Sequence, residues 1–100
     1  MPAQAGNGRQ SIFYVYLIKS TFKNWTYVGF SENIWRRIKQ HNSGQTKSTK
    51  PYKPFNVLFV QEVHIRTEAR SLEKYLKVRF NKESLLQVIA EVVEWQTPGP

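Results

Sequence analysis

The chain has no cysteine and no aspartate, and no apolar run approaches the roughly 18 residues of a membrane-spanning helix. Without cysteine there is no disulfide and no thiolate metal site. Without aspartate, a site of clustered Asp ligands around two metal ions is excluded, since all seven acids are glutamates. The opening MPAQAGNGRQ lacks the apolar stretch of a secretory signal. The expectation is an intracellular protein, cytoplasmic or nucleoid-associated.

One hundred residues suffice for one small domain with a modest core. Forty percent hydrophobic and 14% aromatic content is too apolar for a disordered chain. Fifteen Lys and Arg give a net charge of +8, a surplus that favours polyanionic partners, nucleic acid first among them. By composition, residues 1–11 and 96–100 read as flexible tails around a folded unit at 12–95.

Ile12 to Lys19, rich in β-branched and aromatic residues, reads as a strand, and Thr26 to Phe30 as a second. The short polar link between them suits an antiparallel hairpin, which would bring Tyr16 and Tyr27 to neighbouring strands. Ser31 is an N-cap candidate for a helix running to about His41 or Asn42, with Glu32 in its first turn and Gly44 as a stop signal. Its buried side would be Ile34, Trp35 and Ile38. Arg37 and His41, four residues apart, share the border of that stripe. A loop rich in Lys and Pro leads to a third strand, Phe55 to Val63. Thr67 would cap a helix over 68–81 with Ala69, Leu72, Leu76 and Phe80 on one stripe, and SLLQVIAEVVEW reads as a last helix, its β-branched content leaving a strand as the alternative. The order is β-β-α-β-α-α, an α+β domain.

Glu73 lies on the edge of an apolar stripe, where a carboxylate needs a cation, a metal or hydrogen bonds. An i to i+4 ion pair with Lys77 is the plain alternative. Phosphodiester cleavage requires a group that orients or deprotonates water, a cation for developing phosphate charge, and usually a carboxylate-held metal. Tyr16, Tyr27, Arg37, His41 and Glu73 supply those kinds of group. His64, between strand and helix, reads as structural.

The motifs YVYL (Tyr14 to Leu17) and YVG (Tyr27 to Gly29), then Arg37, His41 and EARSLEKYLK, together resemble the GIY-YIG nuclease superfamily, most closely its small single-domain members. The resemblance implies a small three-stranded antiparallel sheet flanked by helices. Tyr16 matches the tyrosine ending the first motif, Tyr27 the one opening the second, and Gly29 the glycine closing it. Arg37 and His41 match positions on the first helix, and Glu73 matches the single metal-binding glutamate. The implied chemistry is phosphodiester hydrolysis with one Mg²⁺ or Mn²⁺ on Glu73. A tyrosine, Tyr27 helped by Tyr16 or His41, would activate water, and Arg37 would stabilise the phosphorane-like transition state. Tyr14 and Val15 replace the name-giving Gly and Ile, Phe30 and Ser31 shift the usual hydroxyl residue, and Asn81 stands only eight residues after Glu73.

Six basic residues and no acid lie between Asn33 and Gln61. Of these, Arg36, Lys39, Lys47, Lys50 and Lys53 are candidates for DNA phosphates, with Tyr52 or Trp35 available for base or sugar contact. Phosphate contacts position DNA without reading its sequence. The expected function is a metal-dependent DNA endonuclease that acts on structured or branched DNA in repair or recombination. The alternative is a nucleic-acid-binding module of the same fold that does not cut, or cuts only with a partner.

Overall fold

A computed structural model of the chain describes residues 11–96. The expected tails, apart from Ser11 and Gln96, lie outside them. The elements are β1 (Phe13–Ser20), β2 (Thr26–Ser31), α1 (Ile34–Asn42), a 3-10 turn (Lys50–Tyr52), β3 (Phe55–Val63), α2 (Arg66–Lys77) and α3 (Arg79–Gln96). The order expected from sequence holds, with the 3-10 turn added inside the basic loop.

β1 is the central strand of an antiparallel sheet ordered β2-β1-β3. Its near-continuous apolar sequence follows from burial on both faces. Phe13, Val15 and Leu17 join Val28, Ala69 and Leu76 in one cluster under α2 and α3. Tyr16 and Ile18 turn to the opposite face and pack with Ile34 and Ile38 of α1 and with Phe55. The period-2 alternation of side chains thus divides one strand between two small cores. On the β3 side the ladder slips between Leu17 and Ile18, which pair with Phe59 and Val57. The extra residue, Leu58, packs against the α2 cluster.

The helix boundaries correct the expectations at three points. Ser31 is the last residue of β2, and Asn33 is the N-cap of α1: its Oδ1 accepts from Arg36 N at 3.1 Å. Ser31 instead accepts from Asn33 N, a turn of its own that leaves Glu32 before the helix. Thr67 is likewise already helical, since α2 begins at Arg66. The span 68–81 is broken at Val78, whose backbone is extended (ψ 125°), so Phe80 belongs to α3 and is 77% exposed. Trp35 is also exposed, at 76%. It borders an open groove lined by Tyr14, Glu32, Asn33, Ile38, Val57 and Val60.

The end of α1 fixes the path of the basic loop. Gly44 takes a left-handed φ of 83°, and Gln45 N donates to Gln40 O, a C-cap that turns the chain back along the helix. Residues 46–49 are thereby laid against Arg37 and His41.

Candidate active site

Tyr16 pairs with Gly29 across the β1–β2 ladder and Ile18 with Tyr27, so the two tyrosines are diagonal neighbours on one face. Their ring centroids are 6.2 Å apart. The Tyr16 phenol lies directly on Gly29: a Cβ there would stand 2.6 Å from Tyr16 Oη and 2.9 Å from Tyr27 Cε2. The glycine that closes the second motif therefore makes room for both phenols.

His41, in the last turn of α1, is fully buried and carries a hydrogen bond on each ring nitrogen. Nε2 is 2.8 Å from Tyr16 Oη and Nδ1 is 2.9 Å from Thr49 Oγ1. The Tyr27 ring is 5.0 Å from the imidazole, centroid to centroid. Burial, with the Tyr27 phenol adding, pushes the Tyr16 phenol up to about 12, although Arg37 pulls the other way. Burial lowers His41 to about 4, and the positive charge of Arg37 adds to that effect. Both groups are neutral near pH 7.

Arg37, half-buried, donates from Nη1 to Gln40 Oε1 at 3.0 Å and to Thr46 Oγ1 at 3.4 Å. These bonds tether the guanidinium between α1 and the basic loop, near enough to Tyr16 and His41 to act on both. Glu73 comes from α2, which packs across β1 and β2, and its charge also acts on Tyr16. Its side chain is only 13% exposed, with Lys77 Nζ 3.1 Å from Oε2 and Arg70 Nε 3.7 Å from Oε1. The ion pair weighed from the sequence is thus present, on a carboxylate whose charge is felt at Tyr16.

Among the described residues no three His, Asp or Glu side chains gather to hold a metal. A divalent ion at Glu73 would have one protein carboxylate, with water and substrate phosphate completing its shell. Mg²⁺ commonly accepts such a donor set. The hard oxygen donor fits the ion, and Lys77, half exposed and on a long flexible stem, can leave the carboxylate when an ion arrives.

The nucleic-acid candidates Arg36, Lys39, Lys47, Lys50 and Lys53 are all exposed. Tyr52, expected to be open to a base, stacks on Trp25 at 4.0 Å with the rings 8° from parallel, so one face is covered. His64 is exposed at the surface and pairs with Glu62 at 2.7 Å. Thr49, Thr46 and Gln40 were not singled out in the sequence. Hydroxyl residues in a polar loop carry no signal until the C-cap of α1 brings them back to the helix.

This grouping, on a three-stranded sheet flanked by helices, defines a GIY-YIG-type domain, and the chain belongs to that family: the model of the GIY-YIG catalytic domain matches residues 12–86. The family is one of nucleases. Among its relatives, the UPF0213 protein YazA of Bacillus subtilis is 29% identical over 76 residues, covering 75% of this chain and 76% of that one. The UPF0213 protein CPE1444 of Clostridium perfringens is 32% identical over 78 residues, covering 77% and 82%. The solution NMR structure of the UPF0213 protein BH0048 from Bacillus halodurans is similar with a TM-score of 0.50 and 30% identity, over 77% of this chain and 84% of that one. Among the described residues no helix is long and apolar enough to cross a membrane.

Proposed function

We propose that the protein is a metal-dependent endonuclease that hydrolyses phosphodiester bonds of DNA, with structured or branched DNA, as met in repair or recombination, as its substrate. The observation that supports this reading is the cluster of Tyr16, Tyr27 and His41 with Arg37 acting on it, and the charge of Glu73 felt at Tyr16. A purely binding surface needs exposed cations and has no use for two packed phenols and a semi-buried carboxylate.

In this reading Tyr27, the half-exposed phenol, faces the attacking water and orients it. Tyr16 is the buried phenol, kept protonated and held by His41, and it fixes the ring of its neighbour. Arg37, already immobilised by Gln40 and Thr46, places positive charge where the phosphate gains negative charge, so little reorganisation is needed in the transition state. Glu73 would hold one Mg²⁺ or Mn²⁺, which when bound lowers the pKa of coordinated water and neutralises phosphate charge. Arg36, Lys39, Lys47, Lys50 and Lys53 contact backbone phosphates on either side. The protein acts inside the cell, in the cytoplasm or on the nucleoid.

The test is cleavage of a labelled panel (single strand, duplex, flap, four-way junction and RNA) with Mg²⁺, Mn²⁺ or EDTA, wild type beside Glu73→Gln. Metal-dependent cutting that the variant loses while keeping its fold and DNA affinity supports the reading. A Glu73→Gln protein that cuts normally ends the metal assignment. One observation favours the second reading, a binding module that does not cut alone: the Glu73 oxygens already face Lys77 and Arg70. Binding across the panel with no cutting would decide for it.

A further inference from the structure

Thr49 is the odd residue of the basic loop. Lys47, Ser48 and Lys50 around it are exposed, whereas Thr49 is fully buried, with its hydroxyl 2.9 Å from His41 Nδ1. We propose that Thr49 is a positioning residue: its Oγ1 accepts from Nδ1–H of His41 and so fixes the ring as the tautomer whose bare Nε2 accepts the proton of Tyr16.

Two independent considerations give the direction of this chain of hydrogen bonds. The first is the fate of the phenolic proton. Among the hydrogen bonds of the described residues, His41 Nε2 is the partner of Tyr16 Oη. Arg37, the cation acting on the same oxygen, carries only N–H donors and can take no proton. With Nε2 protonated, Tyr16 would be left with a buried O–H facing donors alone, at the full desolvation penalty of an unpaired donor. The second is the threonine hydroxyl, which has a single proton. Thr46 O lies 3.3 Å from Oγ1 and accepts it, leaving Oγ1 lone pairs for His41. The chain then runs Tyr16 O–H to Nε2, Nδ1–H to Thr49 Oγ1, and Thr49 O–H to the Thr46 carbonyl. Every donor in it has an acceptor, consistent with the absence of unpaired buried side-chain polar atoms among the described residues.

The consequence for function rests on the nuclease reading. Fixing the imidazole fixes the Tyr16 ring, which sets the wall against which Tyr27 packs. Because Thr49 sits between Lys47 and Lys50, the same bond holds the cationic loop in register with the tyrosines.

The tautomer is read directly from the long-range ¹⁵N–¹H NMR spectrum of the full chain at neutral pH. His64→Gln assigns the two histidines. The expected wild-type result is a protonated-type shift for His41 Nδ1 and an unprotonated-type shift for Nε2. In Thr49→Val, which keeps the shape and removes the acceptor, the two shifts should move toward each other, and Thr49→Ser should restore them. On whichever DNA the wild type cuts, Thr49→Val should lower kcat about tenfold or more, the order of loss when the partner orienting a functional histidine is removed, with KM little changed and Thr49→Ser active. A wild-type His41 protonated at Nε2, or shifts unmoved in Thr49→Val, overturns the proposal. If Thr49→Val fails to fold, the wild-type shifts and Thr49→Ser decide. The expected shifts in a protein that cuts nothing would leave Thr49 in its role and remove the nuclease reading instead.

Discussion

Tyr16 Oη lies 2.8 Å from His41 Nε2, and neither side chain is reached by solvent. A residue of the central strand and one from the last turn of α1 thus share a proton-bearing contact inside the smaller core. Their edge-to-face packing, with centroids 5.7 Å apart, leaves no room for water between them. Two titratable groups are held neutral there, one pushed up and the other down by the same burial.

That arrangement makes folding pH-dependent in a definite window. His41 titrates at about 4 in the folded protein against 6.5 in an unfolded chain. Its contribution is therefore present above 6.5, falls as the pH drops from 6.5 toward 4, and is lost below that. A depression from 6.5 to about 4 corresponds to roughly 3 kcal/mol. Urea unfolding at several pH values should show wild-type stability declining across this window more steeply than that of His41→Gln. Parallel curves for the two proteins would mean that the imidazole takes up its proton at the same pH in the fold as in the unfolded chain.

Gly29 is required for a steric reason. In Gly29→Ala the new methyl would meet Tyr16 Oη at 2.6 Å and Tyr16 Cζ and Tyr27 Cε2 at 2.9 Å, so both rings must move. Overpacking of this kind costs about 1–3 kcal/mol. The variant should unfold at lower denaturant and lose cleavage. Tyr16→Phe should recover part of the stability in the double variant, because the tightest contact is to the hydroxyl. Strictly additive losses would show that the phenol does not rest on this glycine.

Arg37 acts on its surroundings as well as on any phosphate. Arg37→Ala should slow cleavage by about 10²-fold if the guanidinium stabilises charge in the transition state. It should also raise the pKa of His41 above about 4, because the arginine is one of the two causes of its depression. An NMR titration of His41 measures the second effect without any substrate. A loss confined to DNA affinity and abolished at low salt would make Arg37 a phosphate anchor instead.

Most of the fold was legible because its signals are local. The apolar run of β1, the third strand at Phe55 to Val63 and the stop at Gly44 depend on neighbours in the chain, and all three hold. The misreadings came where tertiary packing decides. Trp35 and Phe80 lie on helical stripes that the sequence makes apolar, yet Trp35 borders an open groove beside β3, and Val78 ends α2 before Phe80. Tyr16, Tyr27 and His41 pack together with Arg37 beside them, but what holds them there was invisible. Thr49 and Thr46 reach His41 and Arg37 only through the reversal after α1, and Gln40 bonds Arg37 from within the same turn.

The ion pair at Glu73 gives the metal assignment a quantitative test. Lys77 Nζ is 3.1 Å from Oε2, so a cation entering on this carboxylate must compete with an ammonium already there. Lys77 is 53% exposed, and such pairs contribute about 0.2–1 kcal/mol after screening by solvent. Removing the competitor in Lys77→Ala should therefore lower the Mg²⁺ or Mn²⁺ concentration for half-maximal cleavage by up to about fivefold, 1.4 kcal/mol being tenfold. The maximal rate should change little, since the ammonium is displaced when the ion is bound. Raising the salt should narrow the gap between the two proteins, because the wild-type pair weakens as it is screened. An unchanged metal titration in Lys77→Ala would place the ion elsewhere and return Glu73 to a structural carboxylate on the edge of α2.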